Sequence, residues 1–303
     1  MARKQPPRQI DQLVINWHIN EACNYRCDYC YAKWSDQKTT RDLVRNPEKT
    51  EALLRELWAH FAPSNDKNLL REKLNWSRVR LNFAGGEPLL HVPSLLHAIQ
   101  TAHNLGFDVS LITNASKLDH QNLGAMASQL DWLGLSIDAG DPQTNRAIGR
   151  VDRRDQFLDL SVLSDAISAS RGASPSMKLK INTVVSRNNY TADLAPVLEQ
   201  LRPEKWKVLR VLPMVTEAGI VSNEQFAHFV AAHEQFRNIM HVENNSDMLQ
   251  TYLMIDPKGR FFQNHTKARQ SGYFYSDAIQ EIGAARAFRD MALSASGFAD
   301  RYR

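Results

Sequence analysis

Cys23, Cys27 and Cys30 are the three cysteines of a 303-residue chain, and they fall within one short run, Glu21-Ala22-Cys23-Asn24-Tyr25-Arg26-Cys27-Asp28-Tyr29-Cys30-Tyr31. Thiolates are soft ligands, and three at CxxxCxxC spacing can converge on one soft metal centre. A structural zinc site would want a fourth protein ligand, and a disulfide framework would want thiols in pairs. The spacing points instead to a 4Fe-4S cluster with one iron left for a small molecule to complete. A second phrase, Gly85-Gly86-Glu87-Pro88, has two adjacent glycines that let backbone approach a ligand closely. Taken alone it reads as a turn.

The elements that must position these residues follow from periodicity. Apolar, β-rich runs at 13–19, 79–84, 107–113, 132–138, 178–185 and 206–212 alternate with helical patterns at 47–61, 93–104, 119–129, 156–170, 192–201 and 223–236. A further short helix is expected over 65–76. This is the order of βα units around a parallel sheet. A strand pair, 250–256 and 260–263, follows around Pro257-Lys258-Gly259. The expected class is α/β, a partial (β/α)6 barrel over 12–240, after a disordered segment 1–11 and before a C-terminal extension 241–303 that closes the substrate site.

The strands are not the continuous apolar runs of a filled barrel. Alternate positions carry Asn16 and His18, Arg80 and Asn82, Ser110 and Asn114, Ser136 and Asp138, Lys180 and Asn182, Lys205 and Lys207, with apolar residues between. Period two places the polar set on one face, which implies a wet, cationic interior. A polyanion such as a triphosphate, with about four negative charges near neutral pH, needs several cations in a low-dielectric cavity. Arg80, Lys180, Lys205 and Lys207 are the candidates, with Asn82 and Asn182 beside them. The alternative for Lys205 and Lys207 is a solvated edge strand.

Composition excludes other classes. The chain is 43% hydrophobic and 23% charged, ordinary for a globular protein, and no apolar run approaches the roughly 20 residues of a membrane span. The basic N-terminus has no apolar segment behind it, so neither a secretory signal nor an anchor is expected. Thiols kept for an oxygen-sensitive cluster place the protein in a reducing cytoplasm. The net charge of +4, without long Lys/Arg clusters, argues against nucleic acid as a partner.

CxxxCxxC followed by Gly-Gly-Glu-Pro at the end of the next strand resembles the signature of radical S-adenosylmethionine (SAM) enzymes. The resemblance implies that Gly85, Gly86 and Glu87 receive the amino group of SAM, and that Asn114, Ser136 and Arg150 are further SAM contacts. Asn16-Trp17-His18, Asn82-Phe83-Ala84, Ile148-Gly149-Arg150, Lys180-Ile181-Asn182-Thr183-Val184, Trp206-Lys207-Val208 and Tyr252-Leu253-Met254-Ile255-Asp256 resemble, in this order, stretches of the viperin-like branch. Members of that branch use the 5'-deoxyadenosyl radical to take hydrogen from C4' of a nucleoside triphosphate, with loss of the 3'-hydroxyl as water. The product, a 3'-deoxy-3',4'-didehydro nucleotide, terminates viral polymerases. The likeness implies that Lys180, Lys205 and Lys207 hold the triphosphate. Arginine stands at the Lys205 position in animal relatives, and Arg80 replaces a lysine. It also implies that Tyr252 lies near the ribose, with a part in quenching the substrate radical, whereas a tyrosine in such a strand is otherwise a packing residue. His18 is either a ligand contact or a core histidine. Asn245, Ser246 and Arg260 are candidate base contacts, with CTP, UTP and GTP all open.

Rival readings are weaker. Peptide-modifying radical SAM enzymes carry extra C-terminal cysteines, and none follows Cys30; molybdopterin-precursor synthesis needs a second cysteine triad. The expected partners are a nucleoside triphosphate and a reductase, flavodoxin or ferredoxin as electron donor, acting on a monomer.

Overall fold

The structure is a computed structural model that describes residues 6–31, 42–214, 216–264 and 273–302. Ten strands form one sheet: β1 (Arg8–His18), β2 (Leu74–Ala84), β3 (Asp108–Thr113), β4 (Trp132–Ser136), β5 (Lys178–Val185), β6 (Lys205–Arg210), β7 (Met240–Glu243), β8 (Leu253–Ile255), β9 (Arg260–Gln263) and β10 (Phe274–Ala278). Their spatial order is β10-β9-β8-β1-β2-β3-β4-β5-β6-β7, so among the described residues the sheet has two free edges and does not close. β1 to β7 run parallel in sequence order, β8 adds in parallel to the outer side of β1, and β9 and β10 return antiparallel. This is the expected partial barrel, with β7 and β8 extending the six-stranded unit at either side.

Crossovers carry the helices α1 (Pro47–Phe61), α2 (Val92–Leu105), α3 (His120–Met126), α4 (Pro142–Ala147), α5 (Leu160–Ala173), α6 (Ala195–Leu201) and α7 (Asn223–Ala232). Four short helices, α8 (Asn245–Met248), α9 (Ile279–Ile282), α10 (Ala284–Phe288) and α11 (Ala295–Arg301), belong to the C-terminal region. Local signals set the starts: Asn46 accepts from Lys49 N ahead of α1, and Ser222 and Gln225 form a capping box on α7. Gly106, at φ 103°, ends α2 in the left-handed conformation.

The core lies between sheet and helices. Leu13, Ile15 and Trp17 of β1, Leu81 and Phe83 of β2, Val109 and Leu111 of β3, Leu133 and Leu135 of β4, Leu179 and Ile181 of β5 and Trp206 and Val208 of β6 are fully buried there. These are the apolar positions of the period-two pattern, and the polar positions between them face the other way.

Three expectations need correction. The first strand begins at Arg8, because Arg8 to Asp11 continue the ladder with β2, so these residues of the segment expected to be disordered are in the sheet; residues 1–5 lie outside the described residues. The helix expected over 65–76 is one 3-10 turn, Leu69–Glu72, capped by Asn68, and β2 already starts at Leu74, where Leu74 and Trp76 alternate as buried residues. The helix expected from 156 starts at Leu160, where Asp159 accepts from Ser161 N and Val162 N.

Candidate active site

One cavity of about 540 Å³ opens on the polar face of the sheet. Its wall brings together Cys23, Cys27, Cys30, Gly85, Gly86, Asn114, Ser136, Arg150, Arg80, Asn82, Lys180, Asn182, Lys205, Lys207 and Tyr252, together with His18. Glu87 alone among the candidate SAM contacts does not reach the wall, and the candidate base contacts Asn245, Ser246 and Arg260 also lie off it. Arg260 is engaged by Asp256 at 2.6 Å and sits over the Tyr275 ring.

The cysteine loop follows β1 and is held from two sides by backbone. Gly86 N donates to Asn20 O and Glu87 N to Ala22 O, both at 2.8 Å. Arg26 N donates to Gly149 O at 3.1 Å and Asp28 N to Ile148 O at 3.4 Å. Both contacts require glycine: a Cβ at Gly86 would stand 2.0 Å from Ala22 O, and one at Gly149, where φ is 72°, 2.2 Å from Arg26 O. Glu87 is fully buried, and its carboxylate accepts from Leu89 N at 2.9 Å, Thr113 Oγ1 at 2.6 Å and Asn114 N at 2.7 Å. Its side chain is committed to fixing the end of β3. Asn114 in turn donates to Asn24 Oδ1 at 3.0 Å and lies 3.6 Å from Cys23 Sγ.

The donor set fits an iron–sulfur cluster. None of the three thiols is in a disulfide, and all three line the same cavity wall. Three thiols on one wall supply the soft donors such a cluster takes. Burial pushes the Cys27 thiol up to about 12, so it keeps its proton until a metal displaces it. Beside it, Arg150 is buried and pairs with Asp138 at 2.6 Å, donates to Ser136 O and lies 3.9 Å from Cys27 Sγ; Tyr29 Oη donates to the same Asp138 carboxylate.

Further in, Asn82 donates to Asn16 Oδ1 at 3.0 Å and accepts from Ser110 Oγ at 2.8 Å, so its amide is held in a ladder across three strands. The cations come next. Register places Lys180 opposite Lys205 and Asn182 opposite Lys207. Gly134 is the inward residue of β4 next to Lys180, and a Cβ there would stand 3.3 Å from Lys180 Cε, so the glycine leaves room for the lysine stem. Burial, then the neighbouring Lys207, Arg80 and Lys205 charges, hold the Lys180 ammonium well below its ordinary range. Arg80 keeps a buried Nε without a hydrogen-bond partner. Lys207 pairs with Glu243 at 2.6 Å, and Arg301 of α11 also pairs with Glu243. Arg301 donates to Tyr252 Oη, and its guanidinium carbon lies 3.7 Å over the Tyr252 ring. His18 is buried, and that burial lowers it to about 4, so it is neutral at physiological pH.

Sequence reasoning missed Gly134, Glu243, Arg301 and Tyr302. Gly134 had a signal, since it stands two residues before Ser136 and so shares its inward face. The other three carry none, because only folding adds β7 beside β6 and brings the C-terminal helix to them.

A parallel, unclosed βα sheet with three thiols on the loop after its first strand defines a radical SAM enzyme, and residues 17–161 match the family model of the Radical SAM superfamily. An S-adenosylmethionine-dependent nucleotide dehydratase of Pseudoalteromonas ulvae is 40% identical over 97% of this chain and 94% of its own length. A protein of the same name from Psychrobacter lutiphocae is 36% identical over 96% and 95%. The chain belongs to this family of S-adenosylmethionine-dependent nucleotide dehydratases. Among solved structures, anSMEcpe with bound AdoMet superposes at a TM-score of 0.63 over 92% of this chain and 80% of that one; at 14% identity the likeness is one of fold. No helix among the described residues is long and apolar enough to cross a membrane.

Proposed function

We propose that this protein converts a nucleoside triphosphate to its 3'-deoxy-3',4'-didehydro analogue, a chain terminator of viral polymerases, in antiphage defence. The observation that carries this reading is that the thiol loop and the cluster of Arg80, Lys180, Lys205 and Lys207 share one cavity. When bound, the 4Fe-4S cluster and SAM supply a 5'-deoxyadenosyl radical able to abstract a hydrogen from a sugar carbon.

The chain's own residues do the rest. Cys23, Cys27 and Cys30 hold the cluster. The backbone of Gly85 and Gly86, with Asn114, Ser136 and Arg150, receives SAM, while Glu87 acts from behind by holding the amide of Asn114. The four cations bind the phosphates, Asn82 and Asn182 line the path between the two halves, and the segment 241–303 closes the site with Tyr252 and Arg301. A flavodoxin, ferredoxin or their reductase delivers the electron to a monomer in the cytoplasm. CTP is the favoured substrate.

The test is to incubate the reduced, cluster-loaded protein with SAM and each of CTP, UTP and GTP without oxygen. The expected result is nucleotide-dependent 5'-deoxyadenosine and a product lighter by one water; independence from every nucleotide would sink the reading. Tyr252 supports a second expectation. Burial holds its phenol well above the ordinary range, so it stays protonated; its oxygen accepts from Arg301 while its own hydrogen remains available to donate. Tyr252→Phe should therefore slow product formation about tenfold or more with KM for CTP little changed. Unchanged turnover would remove Tyr252 from catalysis.

A further inference from the structure

Glu243 is a carboxylate that pairs with Lys207, one of the four clustered cations of the cavity. It ends β7, beyond the six-stranded unit, and is itself off the cavity wall. It is buried and bridges Lys207 on β6, at 2.6 Å, to Arg301 on α11, both of which line the cavity. A carboxylate placed behind two cations cannot bind a polyanion, yet it decides where those cations point.

We propose that Glu243 is the positioning residue of the polyphosphate site, a bridge between β7 and the C-terminal helix that aims Lys207 and Arg301 at a triphosphate without touching it. The inference rests on the polyphosphate reading given above. A second consequence is electrostatic. Lys207 is faced by Lys180 on β5, Lys205 on its own strand, His241 and Glu243 on β7, and Arg301 with the Tyr302 ring on the C-terminal side. Burial and the Arg301 charge push its ammonium down to about 8, and Glu243 opposes them. The ammonium is therefore charged below about pH 8 and lost above it, and removing the carboxylate moves that loss toward neutrality.

The experiment titrates CTP into cluster-loaded wild-type and Glu243→Gln protein, from about pH 7 to about pH 9.5, without SAM or reductant so that no turnover occurs. Near pH 7 the variant is expected to bind a few-fold more weakly, because Lys207 and Arg301 are no longer aimed by the carboxylate between them. Above about pH 8 it should bind about tenfold more weakly, because Lys207 has lost its proton about one pH unit earlier. The gap between the two curves widens as pH rises. A constant ratio of affinities across the range would mean a merely structural role and would overturn the inference. Should Glu243→Gln fail to fold, Glu243→Asp must shift the alkaline step in the same sense by less, and an unshifted step overturns it equally. Wild-type protein that binds no CTP at any pH would instead remove the polyphosphate reading, and this inference with it.

Discussion

Replacing Gly86 with alanine will cost the protein its cluster while leaving most of the fold in place. The added Cβ would lie 2.0 Å from Ala22 O, 2.4 Å from Ala22 C and 2.6 Å from Glu21 O, all backbone atoms with no rotamer to yield. Carbon and oxygen do not approach below about 3 Å, so one strand of this contact must move by about 1 Å. Moving it breaks the pair of bonds from Gly86 N and Glu87 N to Asn20 O and Ala22 O, and Cys23 is the next residue. A displacement of that size at a reacting centre costs about 10²-fold or more. The readouts are iron and sulfide per chain, the visible absorption of the cluster, and SAM cleavage, with far-UV circular dichroism as the check on folding. Gly124→Ala is the control: it lies in α3, where a Cβ would meet nothing within 4 Å, and should behave as wild type. Wild-type iron content in the Gly86 variant would refute the argument.

The second large effect is at Lys180, where binding and stability should move in opposite directions. Its ammonium is buried beside Arg80, Lys205 and Lys207, and its depressed protonation means the folded protein disfavours the charge it carries. Lys180→Met keeps the stem that Gly134 accommodates and removes the charge. Losing a buried cation opposite a phosphate costs about 2–5 kcal/mol, so KM for the nucleotide is expected to rise about 10²-fold or more. Relief of like-charge repulsion and of desolvation should raise the melting temperature by a few degrees. Steady-state kinetics and thermal melts decide the matter. A lower melting temperature with an unchanged KM would show that Lys180 is a packing residue.

Much of this site was legible because its signals are local. CxxxCxxC is a spacing within one loop, and the inward lysines follow from strict alternation along β5 and β6, a property of any strand with one apolar face. The helix starts were marked by Asn46 and Ser222, though Asp159 set α5 later than its hydrophobic period suggested. The turn at Leu69–Glu72 misled for the opposite reason, since a few helix-forming residues do not make a helix when the next buried positions, Leu74 and Trp76, fit a strand. Glu87 shows a different limit. Its motif was recognisable, but its carboxylate turns away from the cavity to three donors on its own turn and the end of β3.

The sequence by itself thus determined the metal chemistry, the parallel βα order and the cationic face, because each is written as a spacing or a period along a few residues. Only the tertiary structure decided that thiols and cations share one cavity, that Gly86 and Gly149 clamp the cysteine loop, and that Glu243 joins Lys207 to Arg301. Those contacts link residues 36 to 123 positions apart in the chain. Their geometry follows from how the sheet curves and packs, which no local pattern encodes.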